Sequence, residues 1–408
     1  MDRRSFLSLC AAGAALPLVG RTATHGRVGD SAEPAPEAAP GRAVQGRHWP
    51  DLRKSIVINT LGDISNPNIE MRQRLAGGRS AALSDDPASS IDARAIRDAH
   101  QSGLSATNLT LGYVAGEGDP FERTVADIGT WDVIIRAHES DFLKVLSVQD
   151  IRSAKQHGKI GIIYGFQNGA MLGDEVGRVD IFANLGVRII QLTYNPRNQL
   201  GDGSMEPQNH GLTSFGREVV ARLNERKVLV DLSHSGERTC LDAIAASSMP
   251  ITISHTGCRA LADLPRNKTD AELRLLAERG GVVGIYFMPF LKVGSQPDSA
   301  DVMRHVEHAI KVCGEDHVSI GTDGSVTQID DMDAYRLALK AEIEERRKQG
   351  VSATGETPTS YPFILDLRGV EQFQRLADLL SARGHGSSRI EKILGLNFLR
   401  LAQQVWGA

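Results

Sequence analysis

From residue 54 onward the chain repeats one pattern: a short β-branched run ending in Gly, Asn, Asp or His, followed by a stretch with helical period. Eight such runs stand at 55–59, 105–111, 159–164, 187–193, 228–232, 250–254, 281–286 and 318–321. The helical stretches cover 91–102, 123–140, 149–157, 175–185, 213–226, 237–247, 270–279 and 299–314. When a helix follows every strand, the chain returns to the same end of the sheet each time, so neighbouring strands pair in parallel. Eight such units over about 270 residues predict an α/β fold, a parallel (β/α)8 barrel of the TIM-barrel type. The alternative is an open doubly wound sheet, but no GxGxxG or Walker loop follows any strand.

Charge and cysteine usage narrow the partners. The chain has 46 Lys+Arg against 50 Asp+Glu, a formal charge of −4, far from the basic surface that nucleic-acid binding requires. Cys10, Cys240, Cys258 and Cys313 form no CxxC pair, so neither a disulfide framework nor a zinc finger is indicated.

Residues 1–23 place Arg3 and Arg4 before a short apolar run, and Arg3-Arg4-Ser5-Phe6-Leu7 resembles a twin-arginine export signal. The apolar run is well short of the ~20 residues that span a bilayer, so the expectation is a removed leader, no permanent membrane span, and a periplasmic or otherwise exported product. Residues 24–48, with Pro34, Pro36 and Pro40 and no apolar period, read as a flexible tether. Residues 49–408 then form one domain. Within it, 332–349 is strongly charged and reads as a solvated helix, followed by a loop over the barrel mouth. Ser388 and Glu391 have capping-box spacing and open a closing helix.

In such a barrel the chemistry sits at the C-terminal strand ends. Two successive runs each deliver a histidine there, His234 in Asp231-Leu-Ser-His234 and His255 in Ile253-Ser-His255. Neighbouring neutral imidazoles are good ligands for Zn²⁺. Asp63, Gln167, Asn168, Tyr194, Asn195, Arg266 and Asp323 stand at other strand ends or in the loops after them. Asp323 is placed to ligate metal or accept a proton from a bound water. His305 and His308 lie on a helix away from the strand ends and are read as packing residues, and Cys240 and Cys258 as structural.

These residues resemble the renal or membrane dipeptidase family of zinc metallopeptidases, an amidohydrolase-like group. The likeness runs from about 54 to 405, through Gln191-Leu-Thr-Tyr-Asn195, Val230-Asp-Leu-Ser-His234, Ile253-Ser-His-Thr256, Pro265-Arg-Asn-Lys268, Val318-Ser-Ile-Gly-Thr-Asp323 and Ile393-Leu-Gly-Leu-Asn-Phe-Leu-Arg400. The resemblance implies a two-zinc hydrolase in which His234 and His255 hold one metal, Arg266 grips a substrate carboxylate and Asp323 is the acid/base. It implies a small peptide substrate and homodimers as a common state.

The chain departs from the family pattern at the first-metal motif. Asn59-Thr-Leu-Gly-Asp63 keeps the aspartate but puts Leu61 where a histidine belongs, and Gln167 stands where a carboxylate bridges the metals. Leucine coordinates nothing and an amide is a weak neutral ligand, so one zinc or other divalent ion is expected rather than two. The expected ligands are His234, His255, Asp63 and Gln167. Tyr194 is placed to stabilise the oxyanion, and Arg266, Tyr194 and Asn195 to bind substrate. Three functions stay open: an exported metal-dependent dipeptidase-like hydrolase, a silent relative that binds a peptide or amino acid, and an enzyme with other chemistry on a carboxylate-bearing substrate.

Overall fold

The computed structural model describes residues 49–50, 52–75 and 91–407. The chain divides into two compact units, Met1–Arg42 and Ala43–Ala408, and all described residues belong to the second. The export signal and tether expected over 1–48 therefore lie outside the described residues.

Among the described residues nine parallel strands make one sheet: β1 (Ile58–Asn59), β2 (Ala106–Thr110), β3 (Phe142–Lys144), β4 (Ile160–Phe166), β5 (Val187–Gln191), β6 (Leu229–Asp231), β7 (Thr252–Thr256), β8 (Val282–Ile285) and β9 (Val318–Ile320). Pairing of β1 with β9 and of β2 with β4 closes eight of them into a barrel, which excludes the open sheet. The ninth, β3, was not anticipated from sequence. It has only three residues and pairs with the start of β4, while β5 takes the later part of that same strand. A run this short, Phe-Leu-Lys, carries no alternation to read.

The strands are short and almost wholly buried, as expected of a parallel sheet covered by helices. Two glycines let the barrel close under β7. A Cβ on Gly284 or Gly321 would lie 2.0 Å from the carbonyl oxygen of Ser254. The same carbonyl accepts a hydrogen bond from Thr60 Oγ1 at 2.6 Å, which ties β1 to β7 across the interior.

The other end of the barrel is plugged. Phe398, Leu401 and Val405 of the closing helix Asn397–Trp406 pack with Ile58, Ile163, Ile189, Leu229 and Val282 in one apolar cluster. Burial of each such side chain contributes about 1.5–3 kcal/mol. The expected capping box does not form. The helix Ser387–Glu391 is capped at Gly386 without a side-chain bond, and Glu391 instead accepts a hydrogen bond from Ser55 Oγ at 2.7 Å. Among the described residues no helix is long and apolar enough to cross a membrane.

The helix Met332–Lys348 corrects the expectation of a solvated element. Its outer face is charged, but Tyr335, Leu339, Glu342, Ile343 and Arg346 recur every three or four residues and line a cavity at the C-terminal end of the barrel. With the loop that follows it, this helix roofs the cavity.

Candidate active site

The cavity has a volume of ≈ 390 Å³ and its floor is made of strand ends. Asp63 follows β1, Gln167 follows β4, Tyr194 and Asn195 follow β5, His234 follows β6, Arg266 lies in the loop after β7 and Asp323 follows β9; all of them line it. His255, within β7, is fully buried beneath His234.

The two histidines meet through their Nε2 atoms, 3.0 Å apart. Their other nitrogens decide what those atoms carry. Asn195 donates from Nδ2 to Val351 O at 2.8 Å, which leaves its Oδ1 facing His234 Nδ1 at 2.7 Å. An amide oxygen only accepts, so Nδ1 holds the proton and Nε2 is a bare lone pair. His255 Nδ1 lies 2.9 Å from Ser254 Oγ. That hydroxyl donates to Asp231 Oδ2 at 2.6 Å, so it accepts from His255 and leaves a second bare Nε2. Asp231 also accepts from Ser233 Oγ and from the backbone N–H groups of Ser233 and Ser254, although burial still pushes its carboxyl upward. Burial, reinforced by the Arg266 guanidinium, holds both imidazoles well below their ordinary value, so both are neutral.

Arg266 is fully buried. Its Nη1 donates to Ser233 O at 2.5 Å and its Nη2 sits 3.3 Å from His234 Nε2. One face of Tyr194 stacks on His234, with centroids 4.2 Å apart and planes at 26°. Its hydroxyl accepts from Arg346 at 3.2 Å, which leaves the phenolic proton free to be donated. Arg346 is held in turn by Glu356 at 2.8 Å, and Glu356 by Ser352 at 2.6 Å.

Asp323 sits in a left-handed turn with φ +59°, a conformation few non-glycine residues adopt. Its N–H donates to Leu61 O at 3.0 Å, and Asn59 clamps the preceding residue by exchanging hydrogen bonds with Thr322. Burial raises the Asp323 carboxyl to about 6, against the pull of Arg266 and Arg346. Asp63 lines the cavity as an exposed residue, and desolvation by the surrounding protein pushes its carboxyl up despite a hydrogen bond with Ser65. Glu70, on the helix Pro67–Leu75, is raised to about 7 by desolvation and then by Asp63.

Seven of the expected residues thus line one cavity, with His255 buried behind His234, but they take different positions. Gln167 donates from Nε2 to Thr110 Oγ1 at 2.6 Å. Asn168 ties neighbouring loops together, donating to Val114 O and accepting from the Ala170 N–H and from Asn198 Nδ2. Asn195, expected to touch substrate, uses both polar atoms internally and orients His234. His305 is a packing residue, between the Cys258 N–H and Leu291 O, and burial pulls it down to about 4. Sequence reasoning missed Glu70, Glu342, Arg346 and Glu356. The helical spacing of Tyr335, Leu339, Glu342, Ile343 and Arg346 was the one signal available.

Two convergent bare imidazole nitrogens repel each other unless a cation or proton lies between them, so this donor set fits a metal ion, with Asn195 and the Ser254–Asp231 pair as the outer partners that orient metal-bound histidines. Leu61 offers no donor, and among the described residues no three His, Cys, Asp or Glu side chains converge on one point. The Arg266 guanidinium also competes for the lone pair of His234.

Comparison with known proteins places this geometry in context. Residues 52–354 match the sequence profile of the membrane dipeptidase family, peptidase family M19. A crystal structure of an amidohydrolase from Pseudomonas aeruginosa is 33% identical, covers 88% of this chain and 98% of that one, and superposes with a TM-score of 0.71. A metallopeptidase from Rhodobacter sphaeroides, solved with a phosphinate mimic of the dipeptide L-Ala-D-Ala, shares the fold at 20% identity over 86% of this chain and 100% of that one, with a TM-score of 0.66. The dipeptidase tcpJ of Claviceps purpurea is 27% identical over 66% of this chain and 55% of its own length.

Proposed function

Since the chain belongs to the membrane dipeptidase family, we propose that it is an exported, metal-dependent hydrolase that cleaves a dipeptide or a related small amide. The observation that carries this reading is the pair of neutral imidazoles whose Nε2 atoms face each other at 3.0 Å, at the floor of a cavity that Asp323, its carboxyl raised to about 6, also lines.

His234 and His255 would hold one divalent ion through Nε2. Bound there, the ion would supply Lewis acidity and an activated water. Asp323, ionised above about pH 6, accepts the proton of the attacking water and returns it to the leaving amine. Tyr194 donates its free phenolic proton to the developing oxyanion, and Arg346 fixes that hydroxyl from behind. Burial, aided by Arg266, keeps the imidazoles neutral, and Arg266 adds positive charge to the floor where a substrate carboxylate would sit. The roof helix shields the reaction from bulk water.

One feature favours a second reading, a silent relative that binds a peptide or amino acid. Arg266 Nη2 already partners the His234 lone pair, and no third charged ligand converges on the histidines among the described residues. Elemental analysis of the purified protein, run beside hydrolysis of dipeptides ending in Gly or in a D-amino acid, separates the two. The hydrolase reading expects about one bound ion per chain and turnover that a chelator abolishes. Retained ligand binding without metal and without turnover would select the second.

A further inference from the structure

A buried arginine occupies the lone pair that a metal ion would need. Arg266 is 1% exposed and makes no ion pair among the described residues. Its guanidinium has two other partners: Nη1 donates to Ser233 O at 2.5 Å, and Nη2 faces His234 Nε2 at 3.3 Å. A guanidinium only donates, and the Nδ1 proton of His234 is already committed to Asn195 Oδ1, so Nε2 is the acceptor in this contact. An imidazole nitrogen carries one lone pair. Nε2 therefore holds either the guanidinium or a metal ion, never both.

Electrostatics decide which of the two it holds. A cation taken out of water without a carboxylate is costly unless an anion compensates it. Asp323 lines the same cavity and its charge acts on Arg266, but among the described residues no hydrogen bond or ion pair joins them. A divalent ion on His234 would remove the acceptor of Nη2 and set a larger positive charge beside the guanidinium. Metal alone thus opposes Arg266, whereas metal together with an anion does not. Arg266 lines the cavity but is covered where it now lies. A carboxylate in the cavity meets the guanidinium only once it has swung off His234, and the same swing vacates Nε2.

We propose that Arg266 is a latch on the metal site: in the ligand-free protein it closes His234 Nε2 to metal, and a ligand carboxylate draws it off, so that metal and a carboxylate-bearing ligand promote each other's binding. The latch deepens the hydrolase reading, on which it rests for the metal, by making metal occupancy respond to substrate. The coupling is reciprocal by thermodynamic linkage. The factor by which the ligand tightens metal binding equals the factor by which metal tightens ligand binding.

The test is calorimetric titration of the whole protein with zinc, alone, in excess N-acetylglycine, and in excess N-acetylglycinamide, the uncharged analogue. The acid should tighten zinc binding about tenfold and the amide should not, within the range usual for coupled sites. Arg266→Met removes the donor and keeps much of the bulk. It should bind zinc about tenfold more tightly than the parent without any ligand, the scale of one hydrogen bond from a charged group, and should lose the response to the acid. If Arg266→Met fails to fold, Arg266→Lys, which keeps the charge without the fork, should tighten zinc binding part of the way. Equal zinc affinity of the parent in acid and in amide would overturn the latch. So would zinc affinity in the folded variant no greater than the parent's, or an acid effect undiminished in Arg266→Met, since the carboxylate would then be acting as a metal ligand. Zinc binding by no form of the protein would overturn the latch and the hydrolase reading together. Dipeptide hydrolysis separates the two. Coupling without turnover keeps the latch and removes the hydrolase, and turnover without coupling does the reverse.

Discussion

Asn195 Oδ1 takes the Nδ1 proton of His234 across 2.7 Å, and this one contact decides which face of the imidazole is presented to His255. Asn195→Ala removes the acceptor and frees the ring to adopt either tautomer. Loss of such an outer partner typically weakens metal binding about 10–100-fold. Titration against a competing chelator should show that drop, with His234→Ala as the limit of no site. Asn195→Asp, which keeps an acceptor at the same place, should recover much of the affinity. Equal metal affinity in Asn195→Ala would mean that Asn195 does not act through His234.

On the hydrolase reading, Asp323 sets the pH dependence of turnover. Its carboxyl is raised to about 6 in the folded protein, so turnover should rise with pH through about 6 as the base ionises, and Asp323→Asn should lose about 10²–10⁴-fold in kcat. Stability runs the other way. Between its unfolded value of about 4 and its folded value of about 6, only the native state holds this proton, so Asp323 makes the fold less stable as pH rises through that window. Above it the ionised group costs about 2–3 kcal/mol. Asp323→Asn should therefore melt higher than the parent at pH 7 and about equally at pH 4. A variant that melts lower at both would assign Asp323 a structural role.

The barrel was legible because eight β-branched runs with a helix after each leave few other solutions, and because the strand ends mark the site in advance. His234 and His255 could be paired from their spacing of one strand–helix unit. What stayed hidden is tertiary. Nothing local separates Arg346 from its neighbours Arg347 and Lys348; only the turn of the helix sends Arg346 onto Tyr194. Asn195 looked like a substrate contact because it ends a strand, yet Val351, 156 residues away, claims one side of its amide. Strand β3 was invisible since it borrows its pairing from the first turn of β4.

The roof and the floor are joined at Tyr194, whose hydroxyl receives Arg346 while Glu356 holds the same guanidinium. Tyr194→Phe should lower kcat by about 10²–10³-fold with little change in KM, the signature of a donor used only in the transition state. Arg346→Met leaves Glu356 with Ser352 as its side-chain partner and should cost about 1–3 kcal/mol in denaturant unfolding. It should also lower kcat through Tyr194, so the double variant should be less impaired than the sum of the two. Simple additivity in kcat would show that Arg346 does not position Tyr194.

The export proposal rests on Arg3 and Arg4 alone. Replacing both with lysine keeps the charge and removes the guanidinium pair that a twin-arginine receptor reads. Fractionation of a bacterial host should find the parent in the periplasm or beyond and the double variant retained in the cytoplasm. Export of both to the same extent would point to another route.

The proposal of an altered metal site rests on Leu61 and Gln167, and their surroundings say what placing ligands there would do. Leu61 is 3% exposed and its carbonyl carries the Asp323 N–H, while Gln167 is tied to Thr110. Leu61→His with Gln167→Glu puts an imidazole and a carboxylate into a largely buried space where only Thr110 is in place as a side-chain partner, so the metal-free double variant should melt below the parent. Added zinc should reverse the loss. An ion bound at a hundred times its dissociation constant stabilises the native state by about 2.7 kcal/mol, and elemental analysis should rise towards two ions per chain. The parent should respond to zinc with a smaller shift and about one ion. A double variant whose melting temperature and metal content ignore zinc would place the first-metal pocket elsewhere in the barrel, and would remove the link between these two substitutions and the altered stoichiometry.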